Sequence, residues 1–426
     1  MTYQETIDYI HGISWSFCKP GLERISLLCE KLGHPEKGLK FIHVGGTNGK
    51  GSFCAMTEAI LRAAGYKTGL YTSPYIRDFN ERMRVNGENI PNETLVEITE
   101  YVRPFADAME DKPTECELIT AIAFEYFRRE KCDVVVLEVG LGGRLDSTNI
   151  IESPLLSVIT GIDFDHTNLL GSTIQEIARE KGGIIKPHCP ALYGGNENSA
   201  CRVLSLIADS KQSDFYAVDQ SAVRVKEYSP NGTVLDFKNM KDLRLSLLGT
   251  YQPENAATVL SAVELLNSRG ILNVPESAVR QGFSSVRWMA RFEKLRDGEP
   301  TVIFDGAHNP QGIKHAVKSI EIYFPNQKVN VLSGVMEDKD YDGIIEGMKP
   351  IAARVFTVTP SNPRALSAQR YAEVIRSHGI PAASFESVDA GLAAAIAESR
   401  VAKTPLFCLG SLYLYGEISK LIEEIN

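Results

Sequence analysis

Eight residues, Gly45-Gly46-Thr47-Asn48-Gly49-Lys50-Gly51-Ser52, stand between an apolar run, Phe41 to Val44, and a segment in which Phe53, Met56, Ile60 and Ala64 recur at helical spacing. The pattern predicts a strand, a glycine-rich loop and a helix from about Ser52 to Ala64. A helix starting there turns its free N–H groups and partial positive charge back into the loop, where a phosphate would bind. The glycines let the backbone fold around phosphate oxygens, Lys50 supplies a point charge, and the Ser52 hydroxyl can ligate an accompanying magnesium. In the common nucleotide-binding loop Ser or Thr follows Lys directly, whereas Gly51 intervenes here, so a literal motif match fails while the context is kept.

Short apolar runs alternate with amphipathic stretches along the whole chain, which predicts an α/β fold with mostly parallel strands. Phe41 to Val44, Val134 to Leu137 and Leu156 to Thr160 are strand candidates, each followed by a glycine-rich or polar turn. Such turns, outside the carboxyl ends of strands, are where open α/β sheets bind ligands. From Tyr216 to Leu248 Val and Leu alternate among polar residues around an Asn231-Gly232 pair, which predicts a small antiparallel addition. A second series, Thr301 to Phe304, Val329 to Leu332, Val355 to Val358 and Leu406 to Leu409, predicts an independent C-terminal α/β domain, with the rhythm lapsing between Ser285 and Glu299. Gly140-Leu141-Gly142-Gly143-Arg144-Leu145 also follows a strand, but Leu145 stands where a dinucleotide fingerprint needs its third glycine and no helix onset follows.

Composition removes several function classes. With 45 basic against 54 acidic residues the net charge is −9, which disfavours a general nucleic-acid coat. No window approaches the roughly 20 apolar residues of a membrane helix, and Glu5 and Asp8 interrupt the first ten positions, so no membrane association and a cytosolic location are expected. The eight cysteines, Cys18, Cys29, Cys54, Cys116, Cys132, Cys189, Cys201 and Cys408, form no CxxC pair or Cys/His cluster, and reduced, mostly buried thiols are expected.

Several polar residues have two readings. Glu138 ends an apolar strand, where a carboxylate is costly without a cation or donor, so it is either a metal ligand or half of a buried salt bridge. His166, beside Asp165 in the turn after Thr160, is a ligand or a satisfied loop histidine. Lys181, in Ile177-Ala178-Arg179-Glu180-Lys181-Gly182-Gly183, reads on physical grounds alone as a solvated lysine favouring a helix C-terminus. Asp305, His308 and Asn309 contact a ribose, orient a nucleotide, or cap a helix starting near Gln311.

Taken together the motifs resemble those of the folylpolyglutamate synthase and dihydrofolate synthase family within the Mur-ligase superfamily. The resemblance spans nearly the whole chain: Gly21-Leu22-Glu23-Arg24-Ile25, His43 to Ser52, Thr72-Ser73-Pro74 with Asn80-Glu81-Arg82, Leu137 to Asp146, Asp165-His166-Thr167, Glu180 to Ile184, Tyr251 to Ala257, Asp305 to Pro310 and Gly410 to Tyr413. It implies an N-terminal P-loop ATPase-like domain over residues 1–290 with a small antiparallel addition, a linker over 291–299, and a C-terminal Rossmann-like domain over 300–426. The activity implied is an ATP-dependent ligase adding L-glutamate to the γ-carboxyl of tetrahydrofolate through an acyl phosphate, with dihydrofolate synthase activity on dihydropteroate as a second capacity. A nucleotide-regulated P-loop binding protein without ligation is the alternative.

The resemblance also implies residue roles. Asn48, Gly49, Lys50, Gly51 and Ser52 would hold ATP, with Asn255, Arg291 and Asp305 as further nucleotide contacts. Ser52, Ser73, Glu138 and His166 would hold Mg2+. Lys181 matches a lysine carbamylated in this superfamily, which overrides its solvated reading, and His308 becomes a contact for glutamate or phosphate. Thr114, Glu115, Cys116, Glu117, Leu145 and Asp146 are pterin-side candidates, taken to lie in loops near the metal. A monomer is expected.

Overall fold

The computed structural model describes residues 1–12 and 21–425, so Cys18 lies outside the described residues. Two compact units emerge: Met1–Arg224 with Asp236–Leu243 and Glu254–Val286, and Val225–Leu235 with Arg244–Pro253 and the chain from Arg287 onward.

The first unit is built on eight strands, β1 (Phe41–Gly45), β2 (Thr68–Tyr71), β3 (Met83–Val85), β4 (Glu88–Asn89), β5 (Val134–Glu138), β6 (Leu156–Ile159), β7 (Ala191–Tyr193) and β8 (Phe215–Ala217). They lie in the order β4-β3-β2-β5-β1-β6-β7-β8. Every pairing from β2 to β8 is parallel, and β3 and β4 extend one edge antiparallel. β1 and β5 are buried at every position, as parallel strands covered by helices on both faces must be. One face packs Phe41, Tyr71 and Leu137 against helices Tyr3–Gly12, Glu23–Lys31, Asn92–Asp107 and Glu115–Arg129. A second cluster joins Val139 and Ile159 to helices Ile174–Gly182 and Asn198–Ser210.

Chain order places the site. From β1 the chain passes beyond β5 to β2, and after β5 it crosses to the other side of β1 to form β6. The loops leaving β1, β5 and β6 therefore gather at one point where strand order reverses, and such a point opens a crevice.

The small addition is a separate sheet of β9 (Val223–Ser229), β10 (Gly232–Phe237) and β11 (Met240–Leu245), in the order β11-β10-β9. Two-residue connections permit only antiparallel pairing, and Asn231 sits in the first turn. The addition starts later than the sequence suggested, because Tyr216 and Ala217 belong to β8, which pairs parallel to β7.

The second unit has six strands, β12 (Glu293–Arg296), β13 (Val302–Phe304), β14 (Val329–Ser333), β15 (Ala352–Thr357), β16 (Ala382–Ser384) and β17 (Leu406–Leu409), ordered β12-β13-β17-β14-β15-β16. All pairings are parallel except β12 against β13. The 291–299 stretch, expected as a linker, thus holds an edge strand whose Glu293 lies opposite Phe304. Partial burial at all four positions of β12 hid it, since its pattern shows no apolar alternation. Among the described residues no helix is long and apolar enough to cross a membrane.

Helix Glu276–Ser285 lies against helix Lys50–Ala63 at Gly282, where an added Cβ would stand 2.6 Å from the Ile60 Cα. Backbone cannot yield as a side-chain tip does. Gly282→Ala should therefore lower stability by about 1–3 kcal/mol, the strain exceeding the roughly 1 kcal/mol that alanine gains in a helix. A thermal unfolding midpoint equal to or above wild type would contradict this packing.

Candidate active site

The helix after β1 begins at Lys50, two residues earlier than expected, because Gly49 adopts φ 87° and serves as its N-cap without a side-chain hydrogen bond. Lys50, Gly51 and Ser52 form the first turn, where amide groups have no intrahelical partner. Two glycines here are sterically required. A Cβ on Gly46 (φ 142°) would overlap the Thr160 hydroxyl, and one on Gly49 would stand 2.5 Å from the Asn255 Oδ1. Asn255 therefore backs the loop. The segment after β6 holds it from the other side: Thr47 N donates to Gly161 O (2.7 Å), the Thr160 hydroxyl to Asn48 O (2.7 Å), and the Thr47 hydroxyl to Asp163 O (3.1 Å). Sequence reading missed these tethers; the only signal was a threonine at the predicted strand end.

Two ammonium groups meet inside the loop. Lys50 Nζ donates to Gly46 O (3.1 Å) and Thr47 O (3.2 Å), and Lys181 Nζ donates to the same Gly46 O (2.8 Å). Lys181 is 5% exposed, so its solvated reading is wrong. It stands four residues after Ile177 and three after Ala178, both buried, and thus on the apolar stripe of helix Ile174–Gly182; that spacing was legible. Burial, then the charge of Lys50, push its pKa down to about 7. Gly46, Thr47, Lys50, Gly140, Leu141, Gly142, Asp165, His166 and Lys181 line one cavity.

Glu138 closes β5 beside Val44 of β1, is 4% exposed, and accepts a hydrogen bond from Ser73 N (3.2 Å). Ser52 is buried on the first helical turn. His166 has φ 48°, lies 3.8 Å from Asp165, and reaches the cavity. A carboxylate, two hydroxyls and an imidazole suit a hard divalent cation. Among the described residues no three His, Cys, Asp or Glu side chains cluster closely enough to hold a metal alone, so such a site would draw on the hydroxyls.

Of the pterin-side candidates Leu145 and Asp146 lie in a loop as expected, whereas Glu115, Cys116 and Glu117 form the first turn of a helix that Thr114 caps. Thr114 and Glu117 form a reciprocal capping box that starts helix Glu115–Arg129, and Glu117 also accepts from Arg24 Nε (3.0 Å). The Thr-x-x-Glu spacing carried that signal. Glu115 pairs with His11 (3.0 Å), and Cys116 is exposed. Asp146 caps a short 3₁₀ turn, Ser147–Ile150, where no helix onset was expected, and Leu145 is half-buried beside it. The seven described cysteines are free thiols, five of them buried.

In the second unit Asp305 is held by Tyr251 OH (2.8 Å), Phe292 N (2.9 Å) and Ala307 N (2.8 Å). Burial raises its pKa, and Arg291 works against that rise. Arg291 itself donates to Ala290 O (3.1 Å). Asn309 caps helix Pro310–Tyr323 by accepting from Gly312 N, which selects the capping role for that residue, and His308 Nδ1 lies 2.9 Å from Gly306 O. Tyr251 stood out in the sequence only as the first residue of the Tyr251 to Ala257 motif, with no role of its own.

The lowered pKa of Lys181 sets a pH dependence. Its folded value, about 7, lies below the roughly 10.4 of an unfolded lysine, so the unfolded chain binds more protons between these values and this group's contribution to stability rises with pH across that window. Lys181→Met should flatten that rise when denaturant unfolding is followed from pH 7 to pH 10. Parallel curves for the two proteins would show the amine to be ordinary.

Comparison with known proteins points to one family. The Mur ligase middle domain matches residues 44–263 and the Mur ligase glutamate ligase domain residues 290–411. A dihydrofolate synthase/folylpolyglutamate synthase of Bacillus subtilis is 36% identical, with 99% of each chain covered. Mycobacterium tuberculosis folylpolyglutamate synthase complexed with ADP and AMPPCP superposes with TM-score 0.91 at 29% identity, over 99% of each chain. An Escherichia coli structure in complex with DHPP and ADP gives TM-score 0.88 at 30% identity, covering 100% of this chain and 98% of the other. With that likeness running from end to end, the chain belongs to the folylpolyglutamate synthase and dihydrofolate synthase family of Mur ligases.

Proposed function

We propose that the protein is an ATP-dependent ligase that adds L-glutamate to the γ-carboxyl of tetrahydrofolate by way of an acyl phosphate. The observation that carries this reading is the cavity in which Lys50 and Lys181 converge on Gly46 O at the reversal point of the sheet. It gains support from full-length relatives that carry both synthase names and from similar structures holding adenine nucleotides. The same chemistry on the carboxyl of dihydropteroate gives the second named activity, and the DHPP complex of the E. coli relative favours including it.

A carboxylate is a poor acyl donor until phosphate replaces its oxygen as leaving group. Phosphoryl transfer asks mainly for positioning and charge compensation. Lys50 already sits against the carbonyls that shape the loop, so it would exchange Gly46 O and Thr47 O for phosphate oxygens with little movement. The amides of the first turn, Lys50 to Ser52, offer donors along the helix axis, and Asn48 and Gly49 complete the cradle. Ser52, Ser73, Glu138 and His166 would hold Mg2+, which compensates phosphate charge when bound. Asn255, Arg291 and Asp305 are assigned to the nucleotide, and His308 to glutamate or phosphate. Leu145, Asp146 and Glu115 to Cys116 are assigned to the pterin side, while Thr114 and Glu117 act there through the helix they cap. We assign residues 1–290 to ATP binding and 300–426 to the ligase domain, and expect a cytoplasmic monomer.

Burial keeps part of the Lys181 population neutral near pH 7, and a neutral amine is the form that attacks CO2. Carbamylation of the neutral amine would form an N–C bond and release one proton, leaving a carboxylate where the protonated lysine is a cation. With 13C-bicarbonate the wild type should show a carbamate carbon resonance that Lys181→Met lacks; identical spectra would remove the modification.

Incubation with ATP, magnesium, glutamate and either tetrahydrofolate or dihydropteroate should give a one-glutamate adduct by mass, with one ADP per adduct. Nucleotide binding without any adduct would instead support a P-loop switch. Lys50→Ala should lower turnover by about 10²-fold or more, the scale of losing one charge-stabilising donor, with thermal unfolding unchanged. Normal turnover in that variant would contradict the role of Lys50.

A further inference from the structure

Two buried polar residues of the first unit, His43 and Thr148, have no part in the chemistry above, and they lead to Asp146. His43 lies in the middle of β1, three residues before Gly46, and is fully buried. Its Nε2 is 2.8 Å from the Thr148 hydroxyl oxygen, which lies 2.6 Å from Asp146 Oδ1. Thr148 has one hydroxyl proton, and the short approach to a carboxylate directs it there. The hydroxyl must then accept from His43, so Nε2 carries the imidazole proton. Asp146 Oδ1 also accepts from Thr148 N (3.0 Å), and its Oδ2 accepts from Leu141 N (2.9 Å). Gly140, Leu141 and Gly142 line the cavity that holds Lys50 and Lys181.

The charge state of His43 is fixed by its surroundings. Its Nδ1 is buried and has no hydrogen-bond partner. In the neutral Nε2–H tautomer only an acceptor goes unmet, whereas protonation would turn Nδ1 into an unmet N–H donor and bury a charge with it. Burial, then the charge of Lys186, hold its pKa down to about 3. The imidazole is thus a neutral, single-direction donor across the working pH range. Apolar neighbours fill the rest of β1, and a leucine at this position would leave no orphaned nitrogen.

We propose that His43 is a positioning residue for the reaction: through Thr148 it fixes the Asp146 carboxylate and, through that, the Gly140–Gly142 wall of the phosphate-binding cavity. The inference rests on the ligase reading only in taking this cavity as the reaction site. Reacting groups misplaced by about 1 Å lose on the order of 10²-fold in rate, so a wall held by one carboxylate makes that carboxylate's orientation count.

Thr148→Val keeps the side-chain shape and removes both hydrogen bonds of the hydroxyl; Thr148→Ser restores them. His43→Leu and His43→Gln form the second pair, since the glutamine amide can donate where Nε2 does. Hydrogen exchange of the 139–149 segment, read by mass spectrometry, and steady-state kinetics are measured on all four. Thr148→Val and His43→Leu should speed exchange and lower kcat, each by about tenfold or more, with KM for ATP and the unfolding midpoint near wild type. Thr148→Ser and His43→Gln should recover both. Unchanged exchange and kcat in the Val and Leu variants, or equal losses in all four, overturn the proposal. Should His43→Leu not fold, the Thr148 pair decides. A wild type that makes no adduct overturns the ligase reading alone, because exchange still reports whether Thr148 and His43 hold the loop.

Discussion

Two cations share one carbonyl oxygen in this protein, that of Gly46, and much of the first unit is arranged to make that tolerable. Bringing Lys50 and Lys181 together costs Coulomb energy that Asp165 and Asp146 offset only in part, and burial of Lys181 adds to the cost. Proteins accept such an arrangement where a negative charge is to arrive. The loop carbonyls of Gly46 and Thr47 hold the ammonium groups in place meanwhile, and the glycine conformations at Gly46 and Gly49 aim those carbonyls. A side chain at either glycine would strike Thr160 or Asn255, so the cradle depends on two contacts from distant chain segments.

That cradle lies where it does because β1 is central. Flanked by β5 and β6, it delivers its loop between Glu138 on one side and the Thr160–His166 segment on the other. Helix Ile174–Gly182 then presents Lys181 from its buried stripe, and Gly143 packs so closely on it that a Cβ would meet Glu180 O and Lys181 O at 2.9 Å. The Gly140–Asp146 loop thus rests on the helix carrying the second lysine and on the polar chain from His43. Packing and hydrogen bonding in the scaffold here serve the site directly.

Several residues expected to face a ligand also serve the scaffold. Thr114 and Glu117 complete a capping box, Asn309 caps a helix, and Asp305 gathers Tyr251 with two amides. Helix starts after strand-end turns need acceptors for their first amides, and Thr, Asn, Asp and Glu supply those as readily as they bind ligands. Residue type and position alone cannot separate the two uses, since both call for the same oxygen atoms at the same ends of the strands.

Local pattern determined the α/β class, the strands at Phe41 to Val44 and Val134 to Leu137, each one residue longer in the fold, the glycine-rich loop with its lysine, and the second alternation that becomes the C-terminal sheet. Apolar periodicity and glycine spacing are properties of neighbouring residues, so they survive in a sequence. Strand order, the burial of Lys181, the partners of Asp305 and the edge strand Glu293–Arg296 were settled only in three dimensions. Apart from the edge strand, which pairs with the next strand along the chain, each depends on segments tens of residues apart: Gly46 meets Lys181 and Tyr251 meets Asp305 only once the sheets have formed. Whether a lysine is a solvated cation or a buried, partly neutral amine is decided by the water that packing removes around it; the apolar stripe on which Lys181 stands gives the direction it faces, and only the packed neighbours decide how much water is lost.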